Sequence, residues 1–277
     1  MLQFIVDGSK CTRCGQCVRD CVAKIITRSG EEIPRIRPED EANCIGCQHC
    51  LAVCPEAAVS IFGLRPADCQ PLKEDSFPAL DKMLALVRGR RSVRQYRDEN
   101  VDPGLLRQLL GALGNAPTGV NRSALTFAVI DDREAMRRFR VKTYSMIADA
   151  IASEQAPGHH SGFLKEVASA WQEKGEDAIF RGAPHLLAVS AGPEAVCPQE
   201  DVTLALAYFE LMAQCAGLGT VWCGLAKWAM EAVPGLKEAA GVPPDSSYYV
   251  MLFGLPAVRY PRAVQRDGSE RIRRISV

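Results

Sequence analysis

The chain has 277 residues, 47% hydrophobic and 24% charged, with 33 basic and 33 acidic side chains. A formal net charge of zero gives no overall field for nucleic acid or an anionic membrane surface, so neither is expected as a partner. The length suits two domains. No run of 18 apolar residues suggests a membrane span, and the first residues lack the charged and apolar regions of an export signal.

Residues 1–64 hold eight cysteines in two copies of one spacing. Cys11, Cys14, Cys17 and Cys21 read C-x2-C-x2-C-x3-C, and Cys44, Cys47, Cys50 and Cys54 repeat it 33 positions later, followed by Pro55. This run is the iron–sulfur signature of bacterial two-cluster ferredoxins. Each iron corner of a [4Fe-4S] cluster takes one soft thiolate, and the fourth cysteine of each run ligates the other cluster. The expected ligand sets are therefore Cys11, Cys14, Cys17 and Cys54 for one cluster, and Cys44, Cys47, Cys50 and Cys21 for the second. Gly15 and Gly46 fall in the turns, where backbone passes close to the inorganic core. Zinc uses two separated pairs per site and does not call for the third and fourth cysteines. Disulfides do not suit a reducing compartment, and the chain is expected in the cytoplasm. Val22 stands where a proline usually follows the fourth cysteine. Residues 24–43 are charged, contain Pro34 and Pro38, and read as a surface excursion.

Residues 65–79 carry three prolines and read as an extended linker. A second domain, 80–277, follows. Residues 80–88 suit a helix. Asp102–Pro103 is a helix start, after which Leu105, Leu106, Leu109, Leu110 and Leu113 recur at helical spacing. Leu125–Ile130 reads as a strand ended by Asp131–Asp132, and 133–152 as an amphipathic helix. Residues 156–162 read as a loop with a helix after it, and His185–Ala191 as a strand. Asp201–Ala216 is apolar on nearly all sides, which marks a helix buried in a core or between subunits, and Gly217 ends it. Ser247–Gly254 is a strand, and Ile272–Val277 is expected as a fourth. Helices interleave with strands, so the class is α+β or α/β. No G-x-G-x-x-G follows a strand and no P-loop is present.

Residues 88–97, RGRRSVRQYR, place five arginines in ten positions, and Arg259, Arg262, Arg266, Arg271, Arg273 and Arg274 repeat the bias at the end. Alone, such a run is a solvated basic helix end. Two arginine groups flanking one domain also suit a phosphate, which guanidinium forks bind bidentately and a hydroxyl such as Ser92 supports. Asn115–Asn121 is a loop of turn formers with two amide side chains, suited to a polar heterocycle.

Four segments then carry a resemblance: R-R-S-x-R-x-Y at Arg90–Tyr96, A-P-T-x-x-N at Ala116–Asn121, the run D-x-x-L-A-x8-A-x3-G-L-G-x-x-W-x-G from Asp201 to Gly224, and F-G-x-P at Phe253–Pro256. Residues 80–277 resemble the nitroreductase family of FMN flavoproteins, and the whole chain resembles its ferredoxin-fused members. The resemblance implies an α+β fold, a small two-cluster ferredoxin-like domain followed by an FMN-binding domain with a central, mostly antiparallel sheet flanked by helices. It implies contacts of Arg90, Arg91 and Ser92 with the FMN phosphate and ribityl chain, with Arg94 in support. Asn121 would meet the flavin's polar edge, and Cys223 and Gly224 would present backbone N–H groups near flavin N5. Arg262 and Arg266 would reach the phosphate. It further implies a homodimer, with 201–216 as a dimer helix. Several family members place a glutamate near N5, where this chain has Trp222-Cys-Gly-Leu225.

The expected activity is an FMN- and iron–sulfur-dependent oxidoreductase. An external donor, reduced ferredoxin or an NAD(P)H-linked reductase, would supply electrons through two [4Fe-4S] clusters to FMN. A small electrophile (nitro compound, quinone or enone) would receive them. The alternatives are an electron-transfer module serving a larger partner, and an NAD(P)H-fed nitroreductase with the clusters as outlet. Cys69, Cys197, Cys215 and Cys223 are not spaced as a third cluster and read as small hydrophobes. His159–His160 reads as an exposed loop pair, and Trp171, Trp222 and Trp228 as packing.

Overall fold

In the computed structural model, which describes residues 2–153, 161–266, 268 and 271–276, the 33-residue repeat of the cysteines is also a repeat of the backbone. Strand β1 (Ile5–Val6) precedes helix α1 (Gln16–Asp20), strands β2 (Ile26–Thr27) and β3 (Arg35–Ile36), helix α2 (His49–Ala52) and strand β4 (Val59–Ser60). Helix α2 starts 33 residues after α1, and β4 starts 33 after β2. Left-handed backbone recurs with the same displacement at Arg13 and Gly46, Gly15 and Gln48, Lys24 and Ala57, and Gly30 and Gly63. In the first two pairs only one copy supplies glycine. The turn around the thiols fixes φ, and the non-glycine copy carries the steric cost of a Cβ there, about 1 kcal/mol.

These elements form the first of two compact units, Met1–Phe77 with Val120–Arg122; the second is Pro78–Gly119 with Ser123–Val277. In the first, β1 pairs antiparallel with β4 and β2 with β3. Its core joins Leu2, Ile25, Ile26, Leu51, Val59 and Ile61 to the buried Cys17 and Cys50. Residues 24–43 are thus only partly the expected excursion. Ile25 and Ile26 turn into the core, because apolar surface is scarce in so small a unit. Residues 65–79 hold two single 3-10 turns, Pro66–Asp68 and Glu74–Ser76, and are almost wholly exposed.

The second unit runs α3 (Leu80–Gly89), α4 (Pro103–Ala112), β5 (Leu125–Ile130), α5 (Arg133–Ala152), α6 (Ser161–Lys174), β6 (His185–Ala191), α7 (Pro198–Cys215), β7 (Gly219–Trp222), α8 (Gly224–Ala232), α9 (Leu236–Ala239) and β8 (Ser247–Gly254). The Asp102 carboxylate caps α4 by accepting from Leu105 N at 2.8 Å, and Asp132 caps α5 on Ala135 N at the same distance. The strands form one antiparallel sheet in the order β5-β6-β8-β7. Every residue of β6 is buried, as a central strand covered on both faces requires. Leu186, Ala188, Val250 and Leu252 face a core shared with α5, α6 and α8, while Leu187, Val189, Met251 and Phe253 face one shared with α4 and α7.

One strand is added to those expected and one is withdrawn. Gly219–Trp222 is a strand, although its four residues lie just behind the Gly217 turn that ends α7. Residues 271–276 form no strand: Ile272 and Ile275 are 79% and 80% exposed and pair with no sheet edge. The loop expected at 156–162 and His159–His160 lie largely or wholly outside the described residues.

The repeat makes a stability prediction. Gln48→Gly should raise the stability of the intact holoprotein by about 0.5–1 kcal/mol, and Gly15→Ala should lower it by about 1–2 kcal/mol. Denaturant midpoints followed by visible absorbance check this; equal midpoints for both variants would contradict it.

Candidate functional site

The first unit brings the eight cysteines together in two groups. Around Cys17 lie Cys54, Cys11 and Cys14; burial first, and then these neighbouring thiols, push the Cys17 thiol up from its ordinary value. Burial likewise pushes Cys50 up to about 11, with Cys47, Cys44 and Cys17 adding to it. Cys21, Cys44, Cys47 and Cys50 line one small apolar cavity with Ile25, Ile26 and Ile61. Each group therefore draws three thiols from one run and one from the other. The Ala58 N–H donates to Cys54 Sγ at 3.3 Å. Among the described residues, no three His, Cys, Asp or Glu side chains close on a point that a single ion would fill. Four soft thiols around a hollow, with backbone N–H groups aimed at sulfur, fit a cluster ligated at its corners. Binding iron would take from Cys17 and Cys50 the thiol protons that burial favours.

In the second unit, Arg90–Tyr96 crosses the end of the sheet as extended backbone. Ser92 bridges Thr220 in parallel, Tyr96 bridges Pro256, and the Val93 N–H donates to Thr220 O at 2.8 Å. Two glycines make this approach possible. A Cβ on Gly219 would lie 2.7 Å from Val93, and one on Gly254 would lie 2.6 Å from the Pro184 ring and 3.2 Å from Tyr96. Arg90 Nη1 donates to Glu210 Oε1 at 3.2 Å, and Glu210 is only 8% exposed. Part of the Arg90 guanidinium is thus engaged by a carboxylate from α7. Arg94 is exposed and donates to Ser92 O at 3.3 Å. Half-buried Arg91 has no ion pair among the described residues. An uncompensated guanidinium beside a serine hydroxyl fits a phosphate.

The Cys223 N–H donates to Val250 O at 2.9 Å, so the β7–β8 ladder runs one residue further and that N–H is not available to a ligand. This corrects the expectation for Cys223. Gly224 opens α8, where an N–H has no partner within the helix. The Cys223 thiol is buried, donates to Ile179 O at 3.4 Å and accepts from Ala226 N at 3.4 Å. Asn121 falls within the first unit; its Nδ2 donates to Ile45 O at 3.1 Å, which leaves Oδ1 for other partners. Arg262 and Arg266 lie on the exposed irregular segment after β8.

Sequence reasoning passed over three site residues. Glu210 and Thr220 were hidden in apolar runs, although a lone glutamate on a buried helix face is itself a signal for a cation. In the sequence Asp201 is only the first letter of the D-x-x-L-A run. Its side chain is 2% exposed and accepts from Gly119 N at 2.9 Å, so it anchors the loop that follows Ala116.

Residues 10–59 match the model of the 4Fe-4S dicluster domain, and residues 87–255 match that of the Nitroreductase family. The class so defined is an oxidoreductase with an N-terminal iron–sulfur domain. A putative NADH dehydrogenase/NAD(P)H nitroreductase of Archaeoglobus fulgidus is 23% identical over 183 residues, covering 66% of this chain and 87% of the relative. Subunit IorA of the indolepyruvate oxidoreductase of Methanothermobacter thermautotrophicus is 43% identical over 60 residues, 21% of this chain and 9% of that subunit. The crystal structure of a Bacteroides fragilis nitroreductase with bound FMN superposes with a TM-score of 0.55 at 19% identity, covering 70% of this chain and 99% of that one. The chain belongs to the Nitroreductase family. Among the described residues no helix is long and apolar enough to cross a membrane.

Burial pushes the Cys223 thiol up to about 11. Folding therefore favours the neutral thiol. That contribution is complete below the unfolded value, near 8.5, and is lost as pH rises toward 11. At pH 8, iodoacetamide should modify the exposed Cys69 of the native holoprotein and spare Cys223 until denaturant is added. Equal native modification rates, read by peptide mass mapping, would contradict the burial.

Proposed function

We propose that the chain is an FMN- and iron–sulfur-dependent oxidoreductase that takes electrons from an external donor and reduces a small electrophile. FMN and two [4Fe-4S] clusters, when bound, supply two-electron and one-electron redox chemistry respectively. The observation that carries the reading is the joint presence, in one chain, of two four-thiol groups and an uncompensated Arg91 on a nitroreductase fold. Residues 1–64 form the electron-input domain, 65–79 a linker and 80–277 the flavin domain. The relatives named as NAD(P)H nitroreductases and the FMN-bound structure support the flavin and the acceptor class.

The chain's own groups have separate tasks in this reading. Cys11, Cys14, Cys17 and Cys54 hold one cluster, and Cys21, Cys44, Cys47 and Cys50 the other. Arg91 and Ser92 take the FMN phosphate, with Arg262 and Arg266 as further cations. Glu210 holds Arg90 against the sheet, so that one side of its guanidinium stays fixed while the other faces the cofactor. The Gly224 N–H, at the start of α8, is the donor for the flavin ring. A second copy of the chain covers the outward face of α7, where Leu204 and Tyr208 are exposed, and the apolar groove that Met83, Leu86, Leu105, Leu109, Leu211 and Met212 line. The thiol ligands suit a reducing cytoplasm.

Arg91→Ala should weaken FMN binding about 10- to 100-fold, the loss of a charge-assisted hydrogen bond, with iron content unchanged. Retained affinity would refute the phosphate assignment. Cys21→Ala should lower iron per chain by about half, through the cluster built mainly by the other run, and leave FMN in place. Anaerobic reduction of the flavin by reduced ferredoxin, faster than by NADPH, is expected. Reduction by NADPH alone would make the clusters an outlet.

A further inference from the structure

The strands β7 and β8 are buried almost throughout, yet four residues at one end of their pairing stay partly exposed: Trp222, Gly224, Leu225 and Tyr249. The neighbours Val221, Cys223, Tyr248 and Val250 are buried. After Cys223 pairs with Val250, the chain leaves the sheet at Gly224 to begin α8. Tyr249 is the next residue along β8. A Cβ on Gly224 would lie 3.4 Å from the Tyr249 hydroxyl. The phenol therefore occupies the direction in which any side chain at position 224 would point. Its ring is braced edge-to-face by Trp222, with centroids 5.4 Å apart and planes at 62°.

The hydroxyl differs from those of the chain's other packed tyrosines. Tyr96 donates to Val93 O at 2.7 Å, Tyr144 to Asp177 Oδ1 at 3.0 Å and Tyr248 to Lys227 O at 3.2 Å. The Tyr249 hydroxyl has no hydrogen-bond partner among the described residues. A phenol held by its ring, with its hydroxyl open to solvent and engaged by no acceptor of the described residues, is free to donate to a ligand. The surrounding groups set the ligand's chemistry. Trp222 offers an apolar wall for a flat molecule, and the phenol offers one hydrogen bond to an oxygen. A carboxylate at this point would accept only and would repel an anionic acceptor.

We infer that Tyr249 determines acceptor specificity, donating a hydrogen bond from strand β8 to the nitro or carbonyl oxygen of a flat electrophile beside Gly224. The inference rests on the flavin reading above and adds a residue that the family motifs do not contain. Gly224 is part of the same device, since any side chain there would displace the acceptor from the phenol.

The test uses oxidised FMN-loaded holoprotein, titrated anaerobically with 4-nitrobenzoate and, separately, with benzoate, while the visible flavin spectrum is followed. Tyr249→Phe should weaken 4-nitrobenzoate about fivefold, the loss of one neutral hydrogen bond, and leave benzoate unchanged. Unaltered 4-nitrobenzoate affinity in a Tyr249→Phe protein that keeps its flavin would overturn the assignment alone. Wild-type protein that binds no FMN would overturn the reading beneath it.

Discussion

Two missing side chains place the flavin-domain site. Arg90–Tyr96 lies against the sheet because Gly219 and Gly254 carry no Cβ, and a methyl group at either would enter the space of Val93 or the Pro184 ring. The close approach lets Val93 and Ser92 join the backbone of Thr220. It also sets Arg90 within reach of Glu210 on α7, a carboxylate too buried to stand without a cation. With Arg90 so engaged, half-buried Arg91 has no ion pair among the described residues. Fold and electrostatics thus share one cause. The same close packing builds the core against α7 and fixes Arg90 on Glu210.

The iron–sulfur unit follows a different rule. There the backbone is bent first, and the residues adapt. Four left-handed positions recur 33 residues apart, and glycine fills both members only at Gly30 and Gly63. Arg13 and Gln48 accept an unfavourable φ between thiols of one run, and Lys24 and Ala57 accept one three residues after the fourth cysteine of each run. Burial of Cys17 and Cys50 in the small core ties these thiols to folding. A unit this size has little apolar surface of its own, and metal ligation is the usual remedy.

Much of this was legible in the residues. Cysteine spacing named the chemistry, Asp102–Pro103 marked a helix start that the Asp102 cap realises, and the apolar runs 125–130, 185–191 and 247–254 became strands with those bounds. What escaped depends on tertiary contacts. Strand β7 is four residues long and sits behind a glycine turn, too short for periodicity to separate from a loop. Ile272 and Ile275 are β-branched, as strands favour, but find no sheet edge. Glu210, Asp201 and Tyr249 gain their roles only from what folds against them: Arg90, the Gly119 N–H and Gly224. The Cys223 N–H joins Val250 O because the β7–β8 ladder runs past Trp222, and local sequence does not tell where a strand ladder stops.

The central claim, one chain that joins two thiolate-held clusters to a flavin, reduces to stoichiometry. Anaerobically purified protein should contain about eight iron atoms, about eight acid-labile sulfides and about one FMN per chain, measured by elemental analysis, sulfide assay and flavin release. Zinc in place of iron, or iron without flavin, would contradict the account.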